Sequence, residues 1–113
     1  MSDRDSIITI LTSVGTQRQA IDISEHLVNQ RLATCVNIVP CLRTVYRWTN
    51  DKIRDDTEYL LFIKTTKARE DEVYKAATNM NPYSIPEVLT ICNPQVEQVT
   101  SNWIAEMTRD PEA

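Results

Sequence analysis

The chain has 113 residues, of which 42% are hydrophobic and 25% charged, the balance of an ordinary globular protein rather than a disordered or fibrous one. Twelve basic against sixteen acidic side chains leave a net charge of −4 with no basic tract, which excludes an electrostatic nucleic-acid binder, and no apolar run is long enough to span a bilayer. Three cysteines, an odd number, argue for reduced thiols, and the opening Met1-Ser2-Asp3-Arg4-Asp5-Ser6 lacks the apolar core of a signal peptide, so a cytoplasmic protein is expected. A chain of this length buries about two thirds of its unfolded surface and is expected to form one domain over residues 1–113, with an ordered core at 6–108.

Ile7-Ile8-Thr9-Ile10-Leu11-Thr12 is short and β-branched, is followed by the only glycine, Gly15, and reads as a largely buried first strand. From about Thr16 to Arg31, Ala20, Ile23, Leu27 and Val28 recur at helical spacing, which predicts a helix laid on a sheet. Residues 33–48 form one long extended segment in which Pro40 marks a bulge or an edge position. Thr49-Asn50-Asp51-Lys52 supplies a turn and residues 53–66 are extended again, so the second and third strands make a long β-hairpin. A second helix is predicted over Lys67 to Met80, with Glu70, Asp71 and Glu72 at its positive end and Val73, Ala76, Ala77 and Met80 on its inner face.

Pro82 and Pro86 then make Asn81-Pro82-Tyr83-Ser84-Ile85-Pro86-Glu87 a stiff connector into the apolar strand Val88-Leu89-Thr90-Ile91-Cys92. Asn93-Pro94 reads as the cap and first turn of a third helix whose apolar face holds Val96, Val99, Thr100, Trp103, Ile104 and Met107. The fold class is α+β, a ferredoxin-like βαββαβ arrangement with an additional C-terminal helix. Hairpin strands of this length span about 46 Å, against about 21 Å for a helix of similar residue count. The hairpin therefore either bends at Pro40-Cys41 or projects and pairs its edges with other copies in a closed oligomer.

The chemistry permitted by the residues is narrow. His26 is the sole histidine and falls on a solvated helix edge, so Ser-His-Asp and Cys-His devices are not expected, and neither CxxC nor HExxH spacing exists to hold zinc. A P-loop and a G-x-G-x-x-G are absent. The aromatic RNA-stacking pattern is missing from Tyr59 to Ile63, so RNA stacking is not expected. Cys35 and Cys92 read as small buried hydrophobes. What remains is a set of polar and aromatic groups near strand ends, Asn37, Trp48, Lys64, Tyr83 and Glu87, which are the candidates for lining a cleft. Lys64 closes an apolar run and needs a partner, for which Glu87 is the natural candidate, either as a structural ion pair at a subunit boundary or as part of an anion or metal pocket.

With the elements placed, four ordered motifs carry a resemblance: 31–40 (RLATCVNIVP), Tyr46-Arg47-Trp48, 58–65 (EYLLFIKT) and 82–87 (PYSIPE). Together they closely resemble the CutA divalent-cation tolerance family from about Ile7 to Met107. The resemblance implies a tight homotrimer, similar in architecture to the PII signalling proteins, with hairpin strands pairing across subunits. It also implies a role in tolerance to copper and other divalent metals, copper binding in some members, an association with acetylcholinesterase anchoring in animal members, and no enzymatic activity.

Three departures bear on the metal. Bacterial members proposed to bind copper carry a cysteine and one or two histidines where this chain has Thr12, Met80 and Asn81, and Met80 is expected to face the core. Pro40-Cys41 stands for the usual Pro-Gly, and Asn50-Asp51 with one extra residue for the usual glycine of the hairpin turn. Copper or another divalent cation is thus the one cofactor brought in by the resemblance, and three copies of Cys41 near a trimer axis are its only speculative thiol ligands. Two functional readings follow. One is a trimeric metal-homeostasis protein; the other is a PII-like sensor or scaffold that takes a small anionic effector or a partner segment in an inter-subunit cleft lined by Trp48, Lys64, Tyr83 and Glu87.

Overall fold

Alternation along the first strand decides which way the molecule is built. In the computed structural model, which describes residues 6–93 and 95–110, β1 spans Ile7–Val14 and buries Ile8, Ile10, Thr12 and Val14 on one face while Thr9, Leu11 and Ser13 on the other stay half-exposed. It runs two residues further than the apolar pattern suggests, because Ser13 and Val14 still pair with Leu60 and Tyr59. Next come α1 (Gln17–Asn29), β2 (Cys35–Arg47) and β3 (Ile53–Thr66). A single 3-10 turn at Lys67–Arg69 leads into α2 (Glu70–Met80), and β4 (Val88–Cys92) and α3 (Gln98–Met107) complete the chain. The sheet is antiparallel in the order β2-β3-β1-β4, the ferredoxin-like arrangement expected from the element order.

α1 starts on a reciprocal cap: the Thr16 hydroxyl accepts from the Gln19 amide, and the Gln19 side chain accepts from the Thr16 amide. It stops at Asn29 because Arg31 turns left-handed at φ 58, while the Leu32 and Arg31 amides reach back to the carbonyls of Leu27 and Val28. The inner face is Ala20, Ile23, Ser24 and Leu27; Val28, expected on that face, lies one step around the helix and is exposed. With Val73 from α2 and Leu61 and Ile63 from β3, these residues form the core on one face of the sheet.

Two further expectations are corrected. Met80, at the last turn of α2, is exposed rather than turned to the core, since only Val73 and Ala77 of that helix are buried. α3 begins at Gln98, four residues after Pro94, and its cap is Glu97, whose carboxylate accepts from the amides of Val99 and Thr100 and is held below the usual carboxylate range by those bonds. A charged side chain with two amide partners outcompetes Asn93, which instead hydrogen-bonds Thr9, while Pro94 lies outside the described residues. Of the apolar stripe assigned to α3, Ile104 is buried, whereas Val99, at 72% exposed, Trp103 and Met107 face outward.

The hairpin is the long axis of the molecule. Its ladder slips between Val39 and Leu42, where Cys41 sits at φ 62, so the bulge falls where Pro40 marked it. Asp51 supplies the left-handed residue of the turn at φ 69; the Trp48 amide donates to the Lys52 carbonyl, the Asp51 amide to the Trp48 carbonyl, and the Lys52 amide to the Asn50 side chain. The chain extends over 46 × 26 × 22 Å, and its radius of gyration of 14.8 Å exceeds the roughly 13 Å of a compact domain of this size, because the hairpin runs past the helices. Val45 and Ile53 near its tip are exposed.

Candidate functional site

Past the bulge, β2 and β3 present every second residue to the sheet face that α1 and α2 leave uncovered. The register sets Leu42 opposite Glu58, Thr44 opposite Asp56 and Tyr46 opposite Arg54. The Tyr46 hydroxyl donates to Asp56 Oδ2 at 2.5 Å, and its ring meets Trp48 edge-on at a centroid distance of 6.1 Å. Arg54 Nε lies 3.6 Å from the same Asp56 oxygen, and Arg47 is held by Asp51 in the turn.

Glu58 is the unusual member. It is only 6% exposed, yet the group that donates to it is a hydroxyl, Ser13 Oγ to Oε2 at 3.4 Å, with the Tyr83 phenol close enough to feel its charge. Among the described residues it has no ion pair, which is uncommon for a buried carboxylate.

Tyr83 reaches Glu58 because the connector is pinned from behind. Asn81, buried, donates from Nδ2 to the Ser13 carbonyl at 3.1 Å and accepts the Tyr83 amide on Oδ1 at 3.0 Å. Gly15 completes the seat: a Cβ there would stand 3.0 Å from the Tyr83 hydroxyl oxygen, so a larger residue would require that hydroxyl to shift by a few tenths of an ångström. Burial first, then the bond to Glu58 and the nearby charges of Glu58 and Asp56, push the Tyr83 phenol up to about 12. Tyr46 is raised for a similar reason, chiefly its bond to Asp56. Both tyrosines therefore remain neutral donors at any physiological pH. Around them lies a groove of about 710 Å³, walled by Tyr46, Trp48, Tyr83, Asp56, Glu58 and Glu87.

Of the five cleft candidates, Trp48, Tyr83 and Glu87 meet in this groove. Asn37 and Lys64 do not; Lys64 Nζ donates to Asn37 Oδ1 at 2.5 Å near the opposite end of the same sheet face. The expected Lys64–Glu87 pair is not formed within the chain, and the register explains why. β4 enters beside Thr12, whereas Lys64 is opposite Thr9, three residues and about 10 Å further along β1. The sequence reading missed Ser13, Tyr46, Asp56 and Glu58. For Asp56 and Glu58 the available signal was the polar run 54–58 ahead of the apolar run 59–63 in one strand; pattern alone gave none for Ser13.

The positions implied for copper do not fit it. Thr12 is 3% exposed, its hydroxyl has no hydrogen-bond partner, and it shares the core-facing side of β1 with Ile10 and Val14. Both ends of the Asn81 amide are used, and neither a hydroxyl nor an amide replaces the thiolate and imidazole that copper prefers. No group of three or more His, Cys, Asp or Glu side chains suited to a metal occurs among the described residues. Cys41 is exposed on the bulge and Cys35 half-buried; Cys92, expected inside, is exposed because it ends the edge strand β4, and His26 is exposed on α1.

Comparison with known proteins supplies the family. The model for CutA1 divalent ion tolerance proteins matches residues 8–107. A CutA homolog from Danio rerio is 37% identical over 101 residues, covering 89% of this chain and 67% of that protein. The divalent-cation tolerance protein CutA of Thermus thermophilus is 33% identical over 99 residues, covering 88% and 95%. Its solved structure superposes with a TM-score of 0.87 at 32% identity, over 91% of this chain and 99% of that one. The periplasmic divalent cation tolerance protein CutA from Archaeoglobus fulgidus gives 0.87 at 26% identity, again over 91% and 99%.

Proposed function

The chain belongs to the CutA1 divalent ion tolerance protein family, and from that membership we propose that it supports tolerance to divalent cations as a closed homotrimer with PII-like architecture. One observation carries the assembly. The sheet face opposite α1 and α2 leaves Leu89 at 40% and Ile91 at 46% exposed, next to Val39 and the half-buried Leu11, Leu60 and Phe62. Each 100 Å² of that apolar surface withdrawn from water is worth about 2.5 kcal/mol, and the unpaired edges of β2 and β4 add hydrogen-bonding capacity. Three copies closing face to edge satisfy both needs and remove the liability of a long exposed hairpin.

In this reading the protein performs no catalytic step, and tolerance does not pass through Thr12, Met80 and Asn81 as copper ligands. The cytoplasm is the proposed location, supported by three cysteines that form no disulfide, although one solved relative is described as periplasmic. Among the described residues no helix is long and apolar enough to cross a membrane. The test is growth of cells deprived of their own protein of this family on graded copper, zinc and cadmium. This chain should restore growth, and Ile91→Arg, which breaks the sheet face, should not. Equal growth with and without the protein at every metal concentration would remove the tolerance reading.

The groove favours a second reading, a PII-like scaffold or sensor, but it does not favour an anionic effector. Arg47 and Arg54 are already matched by Asp51 and Asp56, which leaves the charges of Glu58 and Glu87 facing any occupant. Lys64, the cation expected to balance them, is engaged with Asn37 elsewhere.

A further inference from the structure

We propose that the groove between the hairpin and the 82–87 connector is a binding site for a small organic ammonium ion. Three kinds of observation converge on that chemistry. Tyr46, Trp48 and Tyr83 supply aromatic surface, the last two from segments far apart in sequence, and an ammonium within about 6 Å of such a ring is attracted by its quadrupole. Glu58 supplies a buried carboxylate that forms no ion pair among the described residues and accepts the Ser13 hydroxyl, so an incoming cation meets a carboxylate already stripped of water. Glu87 supplies a second carboxylate at the mouth, with no ion pair among the described residues.

The competing occupants fit less well. A divalent metal needs several ligand atoms converging at about 2.0–2.6 Å, and no such set of acidic side chains exists among the described residues. Ammonium is less demanding: one or two carboxylates at hydrogen-bond distance and an aromatic wall suffice. Anions meet three carboxylates, Asp56, Glu58 and Glu87, against the two guanidiniums of Arg47 and Arg54, so the lining carries a net negative charge. The volume of about 710 Å³ lies inside the range of small-molecule sites, roughly 300–1,000 Å³. The inference is independent of metal tolerance, but it rests on the proposed assembly leaving this groove open, since the groove lies on the sheet face that further copies of the chain would meet.

The full chain is titrated by calorimetry with tetramethylammonium and with putrescine, and with citrate as the anionic control, at fixed ionic strength. Trp48 fluorescence in a Trp103→Phe background reports which site is filled. Saturable binding of at least one cation with a change in Trp48 emission is expected, weakened about tenfold or more (about 1.4 kcal/mol) in Trp48→Leu and in Glu58→Gln, and less in Glu87→Gln. Lys64→Gln, outside the groove, should leave binding unchanged. Should Glu58→Gln fail to fold, Glu87→Gln and Trp48→Leu carry the same comparison. No saturable signal for either cation, tighter binding of citrate, or full affinity in the carboxylate and tryptophan variants would overturn the proposal.

Discussion

The two faces of the one sheet are built from the same strands and differ in almost everything else. Toward α1 and α2, Ile8, Ile10, Val14, Leu61 and Ile63 are closed off, and nothing there addresses solvent. Away from the helices the alternate residues run from the Lys64–Asn37 pair through an apolar middle of Leu11, Phe62, Leu89 and Ile91 to the groove at Glu58 and Tyr83. The covered face is finished within one chain. The open face has edges, apolar surface and uncompensated charge, so its energetics belong to whatever meets it.

Substitutions in adjacent residues separate the two. Ile63→Ala, on the covered face, should cost about 2–5 kcal/mol at every protein concentration. Phe62→Ala, one residue back and on the open face, should cost far less per isolated chain but make the melting temperature depend on protein concentration. Thermal unfolding over a hundredfold dilution reads both, and identical behaviour of the two variants would erase the distinction.

Asn81→Ala probes how the connector is tied to the open face. Loss of the Ser13 and Tyr83 bonds from a buried amide should cost about 1–3 kcal/mol, and should free Tyr83, read as a rise in its solvent quenching. On the covered face Thr12→Val should go the other way. It replaces a buried hydroxyl without a partner by a methyl group and should stabilise by about 1 kcal/mol in denaturant unfolding.

The smallest effects are those of pH. Tyr83 has a folded pKa above its unfolded value of about 10, so its contribution is complete at neutral pH and is lost as pH rises towards about 12. Stability should therefore fall in that alkaline window, and less so in Tyr83→Phe. Glu70, lowered first by Lys67 and then by Thr90, and Glu97, lowered by the α3 amides, have the opposite sign. Their contributions are present at neutral pH and disappear as pH drops through the carboxylate range.

Much of the covered face was legible because it obeys periodicity. Ala20, Ile23 and Leu27 at helical spacing, and β-branched runs at 7–12 and 88–92, name the elements without any tertiary knowledge. Boundaries slipped where a local hydrogen bond outweighed pattern, as at Glu97, which captures the start of α3 from Asn93-Pro94. Val28, Met80 and Val99 were assigned inward by helical spacing and Cys92 as an apolar strand residue, but single-chain burial depends on which neighbour is present, which neither spacing nor composition encodes. The groove was half visible. Trp48, Tyr83 and Glu87 sit in conspicuous motifs, but Glu58 gains its character from Ser13 and Tyr83, 45 and 25 positions away, through register. Lys64 and Glu87 were paired because the helix after β3 returns the chain to β4, while β1 lies between the two strands and its register separates them.

The central claim is that the open face is completed by two further copies of the chain. Mass measured by light scattering across a dilution series tests it most directly. A mass three times that of the 13.0 kDa chain, collapsing to the single-chain value in Ile91→Arg, is the predicted result. A single-chain mass for the unmodified protein at all concentrations would contradict it.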